Sequence, residues 1–494
     1  MPIFSGGDED CLFLDVYVPG KAIKDPSLKL PVLVYMFGGA YVFGSKDSLQ
    51  PALPFYDGSG MIGAAKNDMI FVSINYRLGA YGFLAGTTME REGLPNAGLW
   101  DQRAALEWVQ KYIALVGGDP NKVTVMGESA GAGSIIHHLV AQGGKLDPHF
   151  KRAILLSPAY EYMWDRAGSV EDTFQKFAAL AGCKGQGVAC LRATSSDILE
   201  KANRNLMDQQ TPGSFAVGPA ADGSFIRQLP VLELTSGNYW KGIESVILSH
   251  CALESIIFVT GAIETDAQFL DYVGVIFPNY TRAAGINDQI AAFYPGMKPK
   301  PTRYKTQSDR VQAFIRDACF TCNLRHVAEA LGDAKVYAMS YSVSPGWHGT
   351  DLIPTFYNPR FTPNTVLQWL ASLVAPLVGF LVSGISTAVQ SYFTSFVLTG
   401  DPNTNRRIIN LPPTIAWKHP SSAGEQTTGV VDVGNWGIYA VADAQTERTP
   451  CAFWRDVAAA VTNLGGYAPP DAVVPQGLIK VPGSPSANFK GGNL

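Results

Sequence analysis

Early in the chain, short apolar runs alternate with stretches of helical spacing. Pro31 to Phe37 (PVLVYMF), Ile70 to Ile74 (IFVSI) and Val123 to Met126 (VTVM) are brief and rich in β-branched or aromatic residues, which predicts buried strands. Between the last two, Ala97 to Leu115 carries Leu99, Leu106, Val109 and Ile113 at helical intervals. Strands alternating with helices predict an α/β fold with a mostly parallel central sheet covered on both faces. Ser245 to Leu248 (SVIL) predicts a later strand. From about 160 to 240 and from about 262 to 390 the pattern turns helical, predicting decorations over the top of the sheet. Length alone suggests two or three units at ~150 residues each, but large α/β folds often run longer, and the pattern reads best as one domain over residues 1–494. The last dozen residues, GSPSANFKGGNL, read as a loose tail.

One uncharged stretch, Leu367 to Ile385, is long enough to cross a bilayer. Gln368, Ser372, Pro376, Gly379 and Ser383 interrupt it and no basic flank adjoins it. A buried or pocket-lining helix fits it better than a membrane span, with an exposed apolar flap as the third reading. If it lines a pocket, Leu373 and Leu377 are positions where bulk would alter substrate choice.

Hydrophobic residues make up 47% of the chain and charged residues 16%, with a net charge of -4. That is enough to build a large core, and the absence of basic excess speaks against a nucleic-acid partner. A neutral or mildly polar small molecule is the expected partner, and the oligomeric state is left open. The N-terminal MPIFSGGDEDCLFL has neither a basic nor an apolar segment of the kind a signal peptide carries. Asn279-Tyr280-Thr281 is a glycosylation sequon, which is weak support for secretion.

There are seven cysteines. Cys183 and Cys190 enclose KGQGVA, rich in turn formers, so a small disulfide loop fits there, with two free thiols as the alternative. Cys319 and Cys322 form a CxxC in a helical pattern, but no second pair or histidine completes a zinc site, so no metal and no cofactor are expected.

Gly127-Glu128-Ser129-Ala130-Gly131 fits G-x-S-x-G, after a strand and before a helical run. Small residues there let the chain turn sharply and leave the Ser129 hydroxyl exposed at the sheet's edge, as a nucleophile requires. Acyl transfer also needs backbone N–H groups aimed at the oxygen that becomes negative. The amide of Ala130, after the nucleophile, is one. PVLVYMF runs into Gly38-Gly39-Ala40-Tyr41-Val42-Phe43-Gly44, laid out like an HGGG-type oxyanion loop with Phe37 in the position of its histidine. No Gly-Lys-Ser/Thr follows, so this is not a phosphate loop.

A histidine and an acid must follow the serine. His137 and His138 are too near Ser129 in sequence to reach back, His149 comes too early, and His250 sits beside the candidate acid. His326 lies in a helical pattern and His419 in WKHPSS. His348, in the Gly- and Pro-rich loop SPGWHGTD, is the best base.

Four stretches resemble the type-B carboxylesterase family, which includes cholinesterases and fungal lipases of the Candida and Geotrichum kind. EDCLFLDV (9 to 16) is like its EDCLYLNV signature, FGGAYVFGS (37 to 45) like its oxyanion loop, and INYRLGAYGFL (74 to 84) like a framework segment. GLWDQRAALEWVQKYIALVGGDPNKVTVMGESAG (98 to 131) is similar throughout. The resemblance implies an α/β-hydrolase fold, a Ser–Glu–His triad and cleavage of carboxylic esters. It implies Gly39 and Ala40 as oxyanion donors with Ala130, and His348 as the triad histidine. For the acid it points to Glu254, which stands with Phe258 as in the family, although Ser255 replaces a glycine; Asp266 is the rival.

The family pairs the EDCL cysteine with one further upstream, so Cys11 is expected to lack its partner and the chain to lack the segment that carries a lipase lid. Cys451 resembles the family's late disulfide cysteine, with Cys319 or Cys322 as its mate. The expected substrate is a small or medium ester. A lipase acting at lipid surfaces is the alternative, and a non-catalytic adhesion protein, as some relatives are, is a third reading that the presence of Ser129 disfavours. Secretion is expected from the family, with the cytoplasm as the alternative.

Overall fold

The computed structural model describes residues 7–48, 56–210, 213–259, 263–277, 281–282, 284–297, 304–358, 366–465 and 469, with the backbone alone for 366–382. Asn279 and Tyr280 of the sequon, the C-terminal tail and the side chains of Leu373 and Leu377 lie outside the described residues.

The predicted α/β architecture is present. Among the described residues nine strands form one sheet: β1 (Leu14–Tyr17), β2 (Leu30–Met36), β3 (Ile70–Ile74), β4 (Gly118–Glu128), β5 (Arg152–Leu156), β6 (Ser245–Cys251), β7 (Val336–Tyr341), β8 (Thr427–Val433) and β9 (Ile438–Asp443). Their order is β1-β3-β2-β4-β5-β6-β7-β8-β9. The edge pairs β1/β3 and β8/β9 are antiparallel and every inner pair is parallel. β3 is buried at every position and β2 at all but Pro31, because helices cover both faces and no side of these strands needs to be polar.

The chain runs from β2 to β3 on one side, then returns to place β4 on the other side of β2. At such a reversal the loops leaving two neighbouring strands diverge and open a crevice above their C-terminal ends. The loop after β2 and the turn after β4 both emerge there. The ends of β6 and β7 lie further along the same edge.

Helix α1 (Ala97–Tyr112) ends before the predicted limit, continuing as a 3-10 turn through Val116. Helix α2 (Ala130–Gly144) follows the serine and loses helical geometry from Ala141 to Gly143. Later helices include α3 (Asp266–Ile276), α4 (Gln307–Ile315) and α5 (Cys322–Leu331). Between the last two, Arg316–Thr321 forms a π-helical turn, a rare conformation that is frequent at functional sites.

The uncharged stretch lies in one long helix, α6 (Val366–Thr399). Among the described residues no helix is long and apolar enough to cross a membrane. A last helix, α7 (Arg448–Gly465), packs Phe453 and Trp454 into a second aromatic core with Tyr294 and Phe314.

Cys183 is disulfide-bonded to Cys190, and Cys322 to Cys451. Of the two expected mates for Cys451, Cys322 is the one used. Cys319 remains a free thiol, as do Cys11 and Cys251.

Candidate active site

Ser129 sits at the abrupt junction of β4 and α2, with φ 56° and ψ −124°. A non-glycine residue held there stores roughly 1–3 kcal/mol of strain, and its neighbours hold it. Its N–H donates to the Leu156 carbonyl at 2.9 Å, and its own carbonyl accepts from Gly133 and Ala159 at 2.9 and 3.0 Å. The junction tolerates only small residues, since a Cβ on Gly131 would lie 2.1 Å from the Met36 carbonyl oxygen.

The loop after β2 curls against this elbow. Gly39, Ala40 and Tyr41 all have positive φ, at 116°, 53° and 64°. The turn closes with Val42 and Phe43 donating to the Gly39 carbonyl at 3.0 and 3.1 Å, and the Tyr41 hydroxyl anchors it to the Ala159 carbonyl at 2.9 Å. A Cβ on Gly38 would come within 2.8 Å of both the Glu128 carboxylate and Ser129 Cβ, so the loop lies directly on the serine. Ala130 opens α2, and the first N–H groups of a helix have no intrahelical acceptor.

Glu254 and His348 follow the ends of β6 and β7 and meet above them. Glu254 Oε2 accepts from His348 Nδ1 at 2.5 Å, while its Oε1 accepts the Cys251 N–H at 2.6 Å. The two loops are joined by Leu253 donating to the Gly346 carbonyl at 2.8 Å. Ser255, where the family has glycine, has φ −97° and ψ −8°. That is right-handed backbone open to any residue, and its hydroxyl donates to the Gln312 carbonyl. The rings of Phe258 and Phe320 pack edge-on against the imidazole at centroid distances of 5.3 and 4.8 Å.

The remaining candidates lie elsewhere. Asp266 starts α3 and pairs with Arg310. His137 and His138 are buried on α2, bound to the Gly133 carbonyl and Gln102; burial pushes them down to about 4 and about 3, so both are neutral. His326 and His419 bind backbone carbonyls. His250 is paired with Asp443. Among the described residues no group of three or more His, Cys, Asp or Glu could hold a metal ion.

Two further acids flank His348. Glu128, the variable position of G-x-S-x-G, brings its Oε1 within 3.2 Å of His348 Nε2 without hydrogen-bond geometry. Asp351 is buried with both carboxyl oxygens unpartnered among the described residues. Burial pushes the imidazole down, but Glu128 and Glu254 outweigh it and hold His348 up at about 9. Burial raises Glu128 to about 8 against the pull of His348, and Asp351 to about 7. For Glu254 burial acts upward too, yet His348 and the Ser157 hydroxyl prevail and keep it below the usual carboxylate range. Nothing in a motif marks these two acids; the Glu128 carboxyl is visible only as the residue before Ser129.

Ser129 opens onto a cavity of about 40 Å³ lined by Met163, Phe215, Val217, Phe258, Ile315 and Phe320 among others. Ala40 borders it from the loop after β2, and Cys319 and Phe320 enter from the π-helical turn.

A mostly parallel sheet, a strained serine at its reversal point and a paired acid and histidine on later strand ends define the class, an α/β-hydrolase. A sequence model described as the carboxylesterase family matches residues 2–454. The chain belongs to that family and is a carboxylic ester hydrolase.

It is 41% identical over 461 residues to a secreted lipase of Arthroderma benhamiae, covering 93% of this chain and 85% of that one. To the carboxylesterase patB of Aspergillus clavatus it is 35% identical, covering 91% and 76%. Among solved structures it is similar to Aspergillus niger EstA, with a TM-score of 0.75 at 26% identity over 92% of this chain and 85% of that one.

Proposed function

We propose that this chain cleaves esters through an acyl-enzyme on Ser129, with His348 as the base and Glu254 as the acid that orients it. The observation that carries the proposal is the 2.5 Å bond between Glu254 Oε2 and His348 Nδ1, with Nε2 of the same ring turned toward the residue that precedes Ser129.

His348 Nε2 takes the Ser129 proton as Oγ forms a bond to the ester carbonyl carbon. The carbonyl oxygen becomes negative, and the amides of Gly39, Ala40 and Ala130 stabilise it. The histidine then delivers its proton to the leaving alcohol as the carbon–oxygen ester bond breaks. Water, deprotonated by the same imidazole, releases the acid and restores Ser129. Glu254 keeps Nδ1 protonated and stabilises the imidazolium.

Replacing the nucleophile tests this. S129A is expected to lower kcat by several orders of magnitude on a short-chain 4-nitrophenyl ester, and E254Q to lower it substantially. Near-normal turnover by S129A excludes the assignment.

The chain reads as one catalytic domain secreted from the cell; two disulfides and the word "secreted" in the Arthroderma relative's name support that destination. The same name favours a second reading, a lipase, which a rise in activity above the solubility limit of the substrate would establish.

A further inference from the structure

The cavity beside Ser129 is mostly apolar, and among the described residues Glu161 is the one acidic side chain in its lining. Glu161, four residues beyond the Ser157 that follows β5, lines it together with Ser129. It is partly open to the cavity yet enclosed by protein. The only hydrogen bond to its carboxyl among the described residues comes from the Phe215 N–H, at a long 3.4 Å to Oε2. No cation pairs with it there, in contrast to Glu233 with Arg227, Asp317 with Arg316 and Asp443 with His250. Tyr160, which lines the same cavity, has its hydroxyl buried without a partner among the described residues.

A carboxyl placed in apolar surroundings with no cation keeps its proton rather than its charge. Burial holds Glu161 up at about 8, opposed only by the Phe215 amide. At neutral pH it therefore presents an O–H donor and a carbonyl acceptor to a mostly apolar wall. Such a polar group costs free energy while it stays unpaired, and a ligand that pairs with it recovers that cost. Alkyl chains cannot do so.

We propose that Glu161 is a specificity-determining residue, whose carboxyl selects esters bearing a neutral hydrogen-bonding group, a hydroxyl or a ketone, on the chain that enters this cavity. The proposal rests on Ser129 being the nucleophile. A buried donor and acceptor left unpaired by the wrong substrate is how protein sites discriminate polar from apolar analogues of equal size. An ammonium group is the rival ligand, since it would favour the ionised carboxyl and meet the faces of Phe215, Phe258 and Phe320, and the cationic ester separates the two.

The test compares matched esters on the intact protein. 4-Nitrophenyl 4-oxopentanoate against the pentanoate varies the acyl half, and 4-hydroxybutyl acetate against pentyl acetate varies the alcohol half. An acetate of a quaternary ammonium alcohol is the cationic control. The wild type is expected to favour the polar member of one pair by about 10-fold in kcat/KM, and the pair that responds identifies which half of the ester the cavity holds. E161Q, which keeps a neutral donor and acceptor, is expected to retain most of that preference. E161L is expected to bring the ratio to one or below.

Equal rates on both members of both pairs overturn the proposal. So does a preference that survives in E161L, or a preference for the cationic ester that E161Q abolishes. Labelling by a fluorophosphonate at Ser129 accompanies each measurement. Labelling with no polar preference removes the role of Glu161 and leaves the nucleophile standing; a wild type that is not labelled at Ser129 removes the nucleophile instead. A labelled E161L is a folded one.

Discussion

Replacing Glu128 with glutamine should move the pH dependence of the enzyme toward acid. Glu128 Oε1 stands 3.2 Å from His348 Nε2. At that separation, with an effective dielectric near 20, the Coulomb attraction of a carboxylate for the imidazolium is ~5 kcal/mol at most. Glu128 realises only part of this, because burial lifts its own carboxyl to about 8 and it competes for the same proton. A nearby opposite charge ordinarily moves a titration by about one to three pH units.

His348 is held up at about 9, and only its neutral form can act as base. The kcat/KM of the wild type should therefore climb through the alkaline range. In E128Q the climb should shift down by about one to three pH units, leaving the variant relatively more active near neutrality. Initial rates on a 4-nitrophenyl ester, read at the isosbestic wavelength of the product, give the profile. The pH dependence of fluorophosphonate inactivation checks it without the chromophore. A profile that stays in place or moves alkaline refutes the coupling between Glu128 and His348.

Breaking the buried His250–Asp443 pair should destabilise the fold in a pH-dependent way. Burial works against both charges, but each partner's charge prevails, holding His250 up at about 9 and Asp443 down at about 2. The raised histidine stabilises fully below its unfolded value near ~6.5 and loses this as pH rises through about 9; the depressed aspartate stabilises above ~3.9 and loses this as pH falls through about 2. D443N should thus cost about 3–5 kcal/mol in denaturant unfolding near pH 5 and less near pH 10; an equal loss at both contradicts this. The Cys322–Cys451 disulfide spans 129 residues and Cys183–Cys190 only 7. Losing the first should cost about 5 kcal/mol and the second about 2, an order that unfolding of C451S and C190S will confirm or reverse. The cavity beside Ser129 is small, about 40 Å³, so kcat/KM across 4-nitrophenyl esters should be higher for short acyl chains than for long ones, and a peak beyond eight carbons would show that the acyl chain goes elsewhere.

What the chain disclosed in advance follows from how strongly each residue's neighbours constrain it. β2, β3 and the elbow were legible because a doubly buried strand must be apolar throughout and a sharp strand-to-helix turn must be small; PVLVYMF, IFVSI and GESAG satisfy both. Glu254 and His348 were legible through spacing and resemblance, and the structure brings them within hydrogen-bond distance. Edge strands β1 and β9 were not legible. LDVY is half-buried along its length and IYAVAD largely exposed, so neither had to show a continuous apolar run.

Glu128 and Glu161 were missed for a related reason. A lone carboxyl has the same letter whether it is solvated or buried, and only the fold decides which. The CxxC was ambiguous because Cys319 and Cys322 share one helical pattern. The π-helical turn separates them, sending one to the cavity and the other to Cys451.

The central claim, that Ser129 is the nucleophile served by His348 and Glu254, is tested most directly by fluorophosphonate labelling followed by peptide mapping. The account predicts one adduct, on Ser129, formed rapidly by the wild type, far more slowly by H348A, and not at all by S129A. An adduct on another residue, or labelling of Ser129 at the wild-type rate in H348A, would contradict it.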